Sequence, residues 1–131
     1  MISFDVRFDL DGLTENVAVM ADKVQRKAAL DLFGELIQTT PIDTGRARAG
    51  WSMDARQGSN VPEDRKKPKG WKKGDTPLYA KPSTPIPPKG APFIMIYNNV
   101  EYIVHLNDGT STQAAKRFVQ IAKEKIERNL R

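Results

Sequence analysis

The sequence predicts an α+β fold: a small antiparallel sheet of three to four strands packed by two amphipathic helices, with a long basic Pro-rich loop insertion. Three observations point there. Apolar and polar residues alternate at the start of the chain, apolar residues recur at three- and four-residue spacing in two later stretches, and seven of the nine prolines fall between residues 56 and 90. A length of 131 residues suits a single domain, 1–131, with one modest core.

Phe4, Val6, Phe8 and Leu10 alternate with Asp5, Arg7 and Asp9, the pattern of a half-buried strand. Asp11-Gly12 offers a turn, and Thr14 can cap a helix whose first turn holds Glu15. Val17, Met20, Ala21, Val24, Ala28, Leu32 and Leu36 then form one apolar stripe on a helix of about 25 residues. Pro41 disfavours helical geometry at Thr40, so the helix ends by Thr39. Gly34 inside it costs about 1 kcal/mol against Ala and marks a candidate close packing contact.

Trp51 and Met53 share a face and read as a strand. The segment 54–91 follows, an extended loop or arm poor in aliphatic residues, which cannot offset its own ordering entropy and is expected to be mobile in the free protein. Phe93 to Tyr97 is a strongly apolar strand. Asn98-Asn99 offers a two-residue turn, and Val100 to Leu106 reads as the return strand of a hairpin. Thr110 and Gln113 fit a capping box for a last helix with Ala114, Phe118, Ala122, Ile126 and Leu130 on one stripe, widened by Val119 and Ile121. Glu124 and Arg128 are spaced as an i,i+4 ion pair.

Composition narrows the chemistry. The chain holds no cysteine and one histidine, His105, so thiolate chemistry and His-rich metal clusters are outside its reach. No apolar run approaches the roughly 20 residues of a membrane span, and the acidic start does not read as a signal peptide. The net charge is +5, and 54–91 carries nine Lys/Arg against four Asp/Glu, so the whole surplus sits in that segment.

The tripeptide Asp43-Thr44-Gly45 carries the catalytic carboxylate in aspartic proteases. Such an enzyme needs a second Asp sharing one proton. Here the lead-in Gln38-Thr39-Thr40-Pro41 lacks the expected apolar strand residues, and the Arg46 guanidinium would hold a carboxylate pair ionised. A retroviral-like protease using Asp43 is thus a remote alternative to a turn in which Asp43 caps backbone N–H groups and Gly45 permits positive φ. His105 lacks a Ser, Cys or ligand partner at motif spacing and reads as a satisfied or half-exposed strand residue. Asn107 to Thr110 lacks the alternating carboxylates of a calcium loop. No metal or cofactor is expected.

In the basic segment Arg65, Lys66, Lys67, Lys69, Lys72 and Lys73 surround Trp71, with Tyr79 further on. An arm ordered against an acidic partner and a solvated loop explain this equally. A nucleic-acid contact combining phosphates with base stacking is the third reading.

Two separated blocks carry a family resemblance. TPIDTGRARAGW (Thr40 to Trp51) follows a long amphipathic helix, and IYNNVEYIVHLNDGTSTQA (Ile96 to Ala114) precedes a last helix. Together they resemble the minor tail or tail-completion (neck, head–tail joining) proteins of long-tailed bacteriophages and prophages. That family carries a helix, a Thr-Pro-Val/Ile-Asp-Thr-Gly-Arg block, Asn-x-x-x-Tyr and Gly-x-Ser-x-Gln-Ala. The matching positions here are Asp43, Thr44, Gly45, Arg46, Trp51, Asn98, Tyr102, Gly109, Ser111 and Gln113, expected to be structural or interfacial. The resemblance implies a non-enzymatic virion component, assembled in the host cytoplasm. It would form a ring of six-fold or twelve-fold symmetry touching neck, connector or tail-terminator proteins, with the 54–91 arm, anchored by Trp71 and Tyr79, along a neighbour. The alternative is a nucleic-acid-binding module using the Trp71 loop. The family continues Gln-Ala-Pro-Ala-Gly where this chain has Gln113-Ala114-Ala115-Lys116-Arg117, a loss of Pro and Gly expected to let the last helix start earlier.

Overall fold

A computed structural model of the chain describes residues 2–6, 15–42, 44–56, 58, 61–72, 74–90, 94–109 and 117–129, with the backbone alone for 4–6 and 15–21. Three strands, β1 (Ile2–Val6), β2 (Trp51–Asp54) and β3 (Ile94–Asn98), form one antiparallel sheet in the order β1-β3-β2. The most apolar strand takes the centre. Ile94 and Ile96 are fully buried, and Asn98 pairs with Ile2 on one side and Trp51 on the other. Residues 7–14, with the expected end of the first strand, its turn and the Thr14 cap, lie outside the described residues, as do 91–93.

The long helix α1 (Glu15–Thr39) ends where Pro41 requires. Its buried face is Gln25, Ala28, Ala29, Leu32, Phe33 and Leu36, a stripe wide enough to meet both the sheet and the last helix, α4 (Phe118–Asn129). Each fully buried side chain such as Leu36 or Ile94 contributes about 1.5–3 kcal/mol. Val24, expected on the stripe, is 43% exposed, because Gln25 and Ala29 one position on face inward in its place. Gly34 is also exposed, and a Cβ there would meet nothing within 4 Å among the described residues, which show no close packing contact at it.

Two expectations are corrected in the C-terminal half. Val100 to Leu106 is not a return strand: Ile103–Asn107 forms a short helix, α3. Val100, Ile103 and Asn107 are buried while Val104 and His105 are exposed, which is helical spacing rather than alternation. The Asn98 side chain decides this locally. Its Oδ1 accepts the Val100 N–H at 3.0 Å, bending the chain off the strand instead of opening a hairpin. His105 therefore sits on a helix, exposed.

The last helix does not start early either. Arg117 has φ 62, outside helical geometry, and α4 begins directly after it. The buried Asn107 side chain serves that N-terminus, accepting the Val119 N–H at 3.0 Å and donating to Gln120 Oε1 at 2.9 Å. Phe118, Val119, Ala122 and Ile126 are buried, but Ile121, expected to widen the stripe, is 47% exposed. Lys125 reaches across to Glu35 on α1 at 3.2 Å, and Lys123 pairs with Glu127 at 4.0 Å, in place of the expected Glu124–Arg128 pair. Residues 110–116, including the expected capping box, are outside the described set.

Candidate functional site

Thr40 to Trp51 is bonded to several distant parts of the chain. Where a helix-to-strand turn was expected, the chain inserts a further single-turn helix, α2 (Arg46–Ala49). Thr40, buried, accepts the Trp51 Nε1–H at 2.8 Å through its hydroxyl, which in turn donates to the Leu36 carbonyl. Trp51, 2% exposed, is thereby tied to the end of α1.

Gly45 needs its missing side chain twice over. Its φ is +91°, and a Cβ would stand 2.8 Å from the Tyr79 carbonyl oxygen and 3.2 Å from Pro77 Cβ. The Tyr79 N–H donates to the Thr44 carbonyl at 3.1 Å, so the loop lies directly on this turn. Asp43 is outside the described residues.

Arg46 reaches two distant parts of the chain. Its Nε donates to the Pro62 carbonyl at 3.2 Å and its Nη1 to Glu101 Oε1 at 2.6 Å. The Arg46 side chain is 10% exposed and that of Glu101 68% exposed. The bond to Glu101 raises the Arg46 pKa above its ordinary value against the opposing effect of burial. Glu101 is lowered, first by a hydrogen bond to its own backbone N–H and then by Arg46. The nearby Tyr102 phenol is raised by burial, with Arg46 opposing.

Asn98, with no exposed surface, donates to the Ala47 carbonyl at 2.8 Å. Gly50 packs so closely against it that a Cβ would lie 2.7 Å from Asn98 Oδ1 and 2.6 Å from Val100 Cγ2. Through Arg46–Glu101 and Ala47–Asn98, the two sequence blocks are bonded directly to each other.

Beyond Asp54, which ends β2, the 54–91 segment contains neither helix nor strand among its described residues, yet it is bonded into its own chain. Tyr79 was expected to face a partner; its side chain is instead used internally, and the residue is 4% exposed. Its hydroxyl donates to the Glu63 carbonyl and accepts the Arg65 N–H, both at 2.5 Å. The Arg65 guanidinium stacks 5.1 Å over the Tyr79 ring and donates to the Leu78 carbonyl at 2.8 Å. These bonds close a finger between Arg65 and Leu78.

Turns at Pro68–Trp71 and Lys72–Asp75 shape the tip. Asp75 accepts the Lys72 N–H at 2.8 Å, and Trp71 Nε1 donates to the Thr76 carbonyl at 3.1 Å. Lys67 Nζ lies 5.3 Å over the Trp71 ring. Lys66, Lys69 and Lys72 are exposed, whereas Lys73 is outside the described residues.

An open cleft of about 410 Å³ lies beside the finger base, lined by Ala49, Pro62, Glu63, Arg65, Tyr79 and Ala80. Its one carboxylate and one guanidinium, the latter already stacked on Tyr79, provide a polar recess rather than an acid–base pair. Among the described residues no group of three His, Cys, Asp or Glu is placed to hold a metal, and no helix is long and apolar enough to cross a membrane.

Of the expected positions, Thr44, Gly45, Arg46, Trp51, Asn98 and Tyr102 converge on this turn. Gly109 lies apart, beyond the end of α3, and Ser111 and Gln113 are outside the described residues. Thr40, Glu101 and Asn107 were not among the expected site positions, although all three stand inside the quoted blocks. Comparison with protein-family models, curated proteins and solved structures found no match.

Proposed function

We propose that this chain is a non-enzymatic structural protein of a long-tailed phage particle, a ring-forming component of the neck or tail-completion region. One observation carries the reading. The two sequence blocks on which the resemblance rests, far apart in the chain, are joined by Arg46 to Glu101 at 2.6 Å and by Asn98 to the Ala47 carbonyl at 2.8 Å. Residues spent on holding backbone to backbone make a rigid platform, which suits a part whose work is binding.

In a closed ring each subunit offers one face to a different face of the next. Six-fold or twelve-fold symmetry is the expectation from tail and connector geometry. Pro62 and Tyr79 of the 54–91 segment are bonded to the Thr44–Arg46 turn, so the finger between them has a fixed base from which its tip would meet another neck, connector or tail-terminator protein. Deleting the gene from the phage that encodes it is expected to leave filled heads and finished tails unjoined. Normal yields of infectious particles would overturn the reading.

A further inference from the structure

We propose that the finger tip is a phosphate-backbone contact for duplex DNA, binding by charge and without reading sequence. This goes beyond the structural role, since a joining ring can assemble without touching the genome.

The first argument is charge. Arg65 to Asp75 carries six cations and one carboxylate, a net +5 that equals the formal net charge of the entire chain. That single carboxylate, Asp75, is turned onto the Lys72 backbone N–H and anchors a turn. Lys66, Lys69 and Lys72 are exposed, and their ammonium groups make no hydrogen bond or ion pair among the described residues.

The second argument is the kind of cation. Five of the six are lysines, compact hydrated charges that meet phosphate as points. A buried protein interface favours the planar fork of Arg and excludes Lys from its centre. Among its described residues the tip offers one exposed proline, Pro68, and no Leu, Ile, Val or Met that an acidic protein partner could cover. A polyanion that stays hydrated fits this surface better than a protein.

The third argument concerns Trp71. Base stacking needs an open indole face and favours single strands. Here Lys67 sits over the ring and the indole N–H is held by the Thr76 carbonyl, so Trp71 braces the finger. What remains for a ligand is the exposed ammonium groups of Lys66, Lys69 and Lys72, which suit a duplex backbone. The base of the finger, pinned by Arg65 and Tyr79, holds these lysines on the Thr44–Arg46 turn.

The test is titration of the full-length protein with a short fluorescent duplex at several salt concentrations. With three phosphate contacts, from Lys66, Lys69 and Lys72, affinity should fall about 40-fold between about 50 and 200 mM salt. The triple variant Lys66→Ala, Lys69→Ala, Lys72→Ala should lower the log–log salt slope by about 3 while melting at the parent temperature. Trp71→Phe should leave the slope unchanged.

Absence of duplex binding at low salt, or an unchanged slope in the triple variant, would overturn the proposal. So would tighter binding of single-stranded DNA that Trp71→Phe abolishes, or tighter binding of polyglutamate than of the duplex. Ring assembly of the triple variant, measured separately, tells failure of this proposal from failure of the structural reading.

Discussion

The Trp51 indole N–H donates to the Thr40 hydroxyl at 2.8 Å, and that hydroxyl donates onward to the Leu36 carbonyl. One threonine thus joins the end of the long helix to the start of an edge strand, with both partners out of water. Thr40→Val keeps the shape and removes the acceptor. A buried N–H left without a partner should cost about 1–3 kcal/mol, whereas Thr40→Ser should retain most of the stability. Urea titration followed by Trp51 fluorescence, in a Trp71→Phe background, reads both.

Gly45 and Gly34 should respond to Ala in opposite directions. At Gly45 the left-handed backbone alone costs about 1–2 kcal/mol, and the new Cβ must displace the Tyr79 carbonyl oxygen that lies 2.8 Å away. Hydrogen exchange at the Tyr79 amide should accelerate as its bond to Thr44 loosens. Gly34→Ala, in an exposed helix interior with nothing within 4 Å, should stabilise by about 1 kcal/mol.

Asn98→Leu should be among the most damaging single changes. It leaves both the Ala47 carbonyl and the Val100 N–H without partners in a site with no solvent access, at a cost of about 2–4 kcal/mol. Chemical denaturation measures the loss. A variant as stable as the parent would remove the link between the two blocks from the account.

The Arg46–Glu101 bond predicts an acid limb in the stability profile. The folded-state pKa of Glu101 is lowered, so the unfolded chain binds its proton first. Its contribution is complete above its ordinary value near 4.5 and is lost as pH falls through the lowered folded value. The raised Arg46 pKa keeps the guanidinium charged throughout that window. Glu101→Gln should remove this acid limb below about pH 5 and lower the plateau above it toward the acid level, as thermal melts across pH would show.

Much of this fold is legible in the sequence. The Thr39 helix end follows from Pro41, and the pairing of Trp51 with Met53 on the core side follows from alternation. The α3 segment is less so. Val100 to Leu106 contains both a period of two and a period near three and a half, and only the Asn98 side chain, bonding the Val100 N–H, selects the helix. Arg117 hides another boundary, because an Arg at positive φ carries no sequence signal.

At the candidate site, Gly45, Arg46 and Trp51 stand out as residues, but their partners do not. Glu101 is one acid among many until the chain folds 55 positions back onto Arg46. Tyr79 misleads for the opposite reason: an aromatic in a polar, proline-rich segment reads as an anchor for a partner, and it anchors its own loop.

The proposal that this chain is part of a phage particle, placed where head and tail join, is tested most directly by electron cryo-microscopy of purified particles whose genome carries its gene. The account predicts a ring of density at the junction into which the three-stranded sheet, α1 and α4 fit, with each finger tip pointing away from the Thr44–Arg46 turn. Particles that carry no copy of the chain, shown by density and by protein mass, would contradict it.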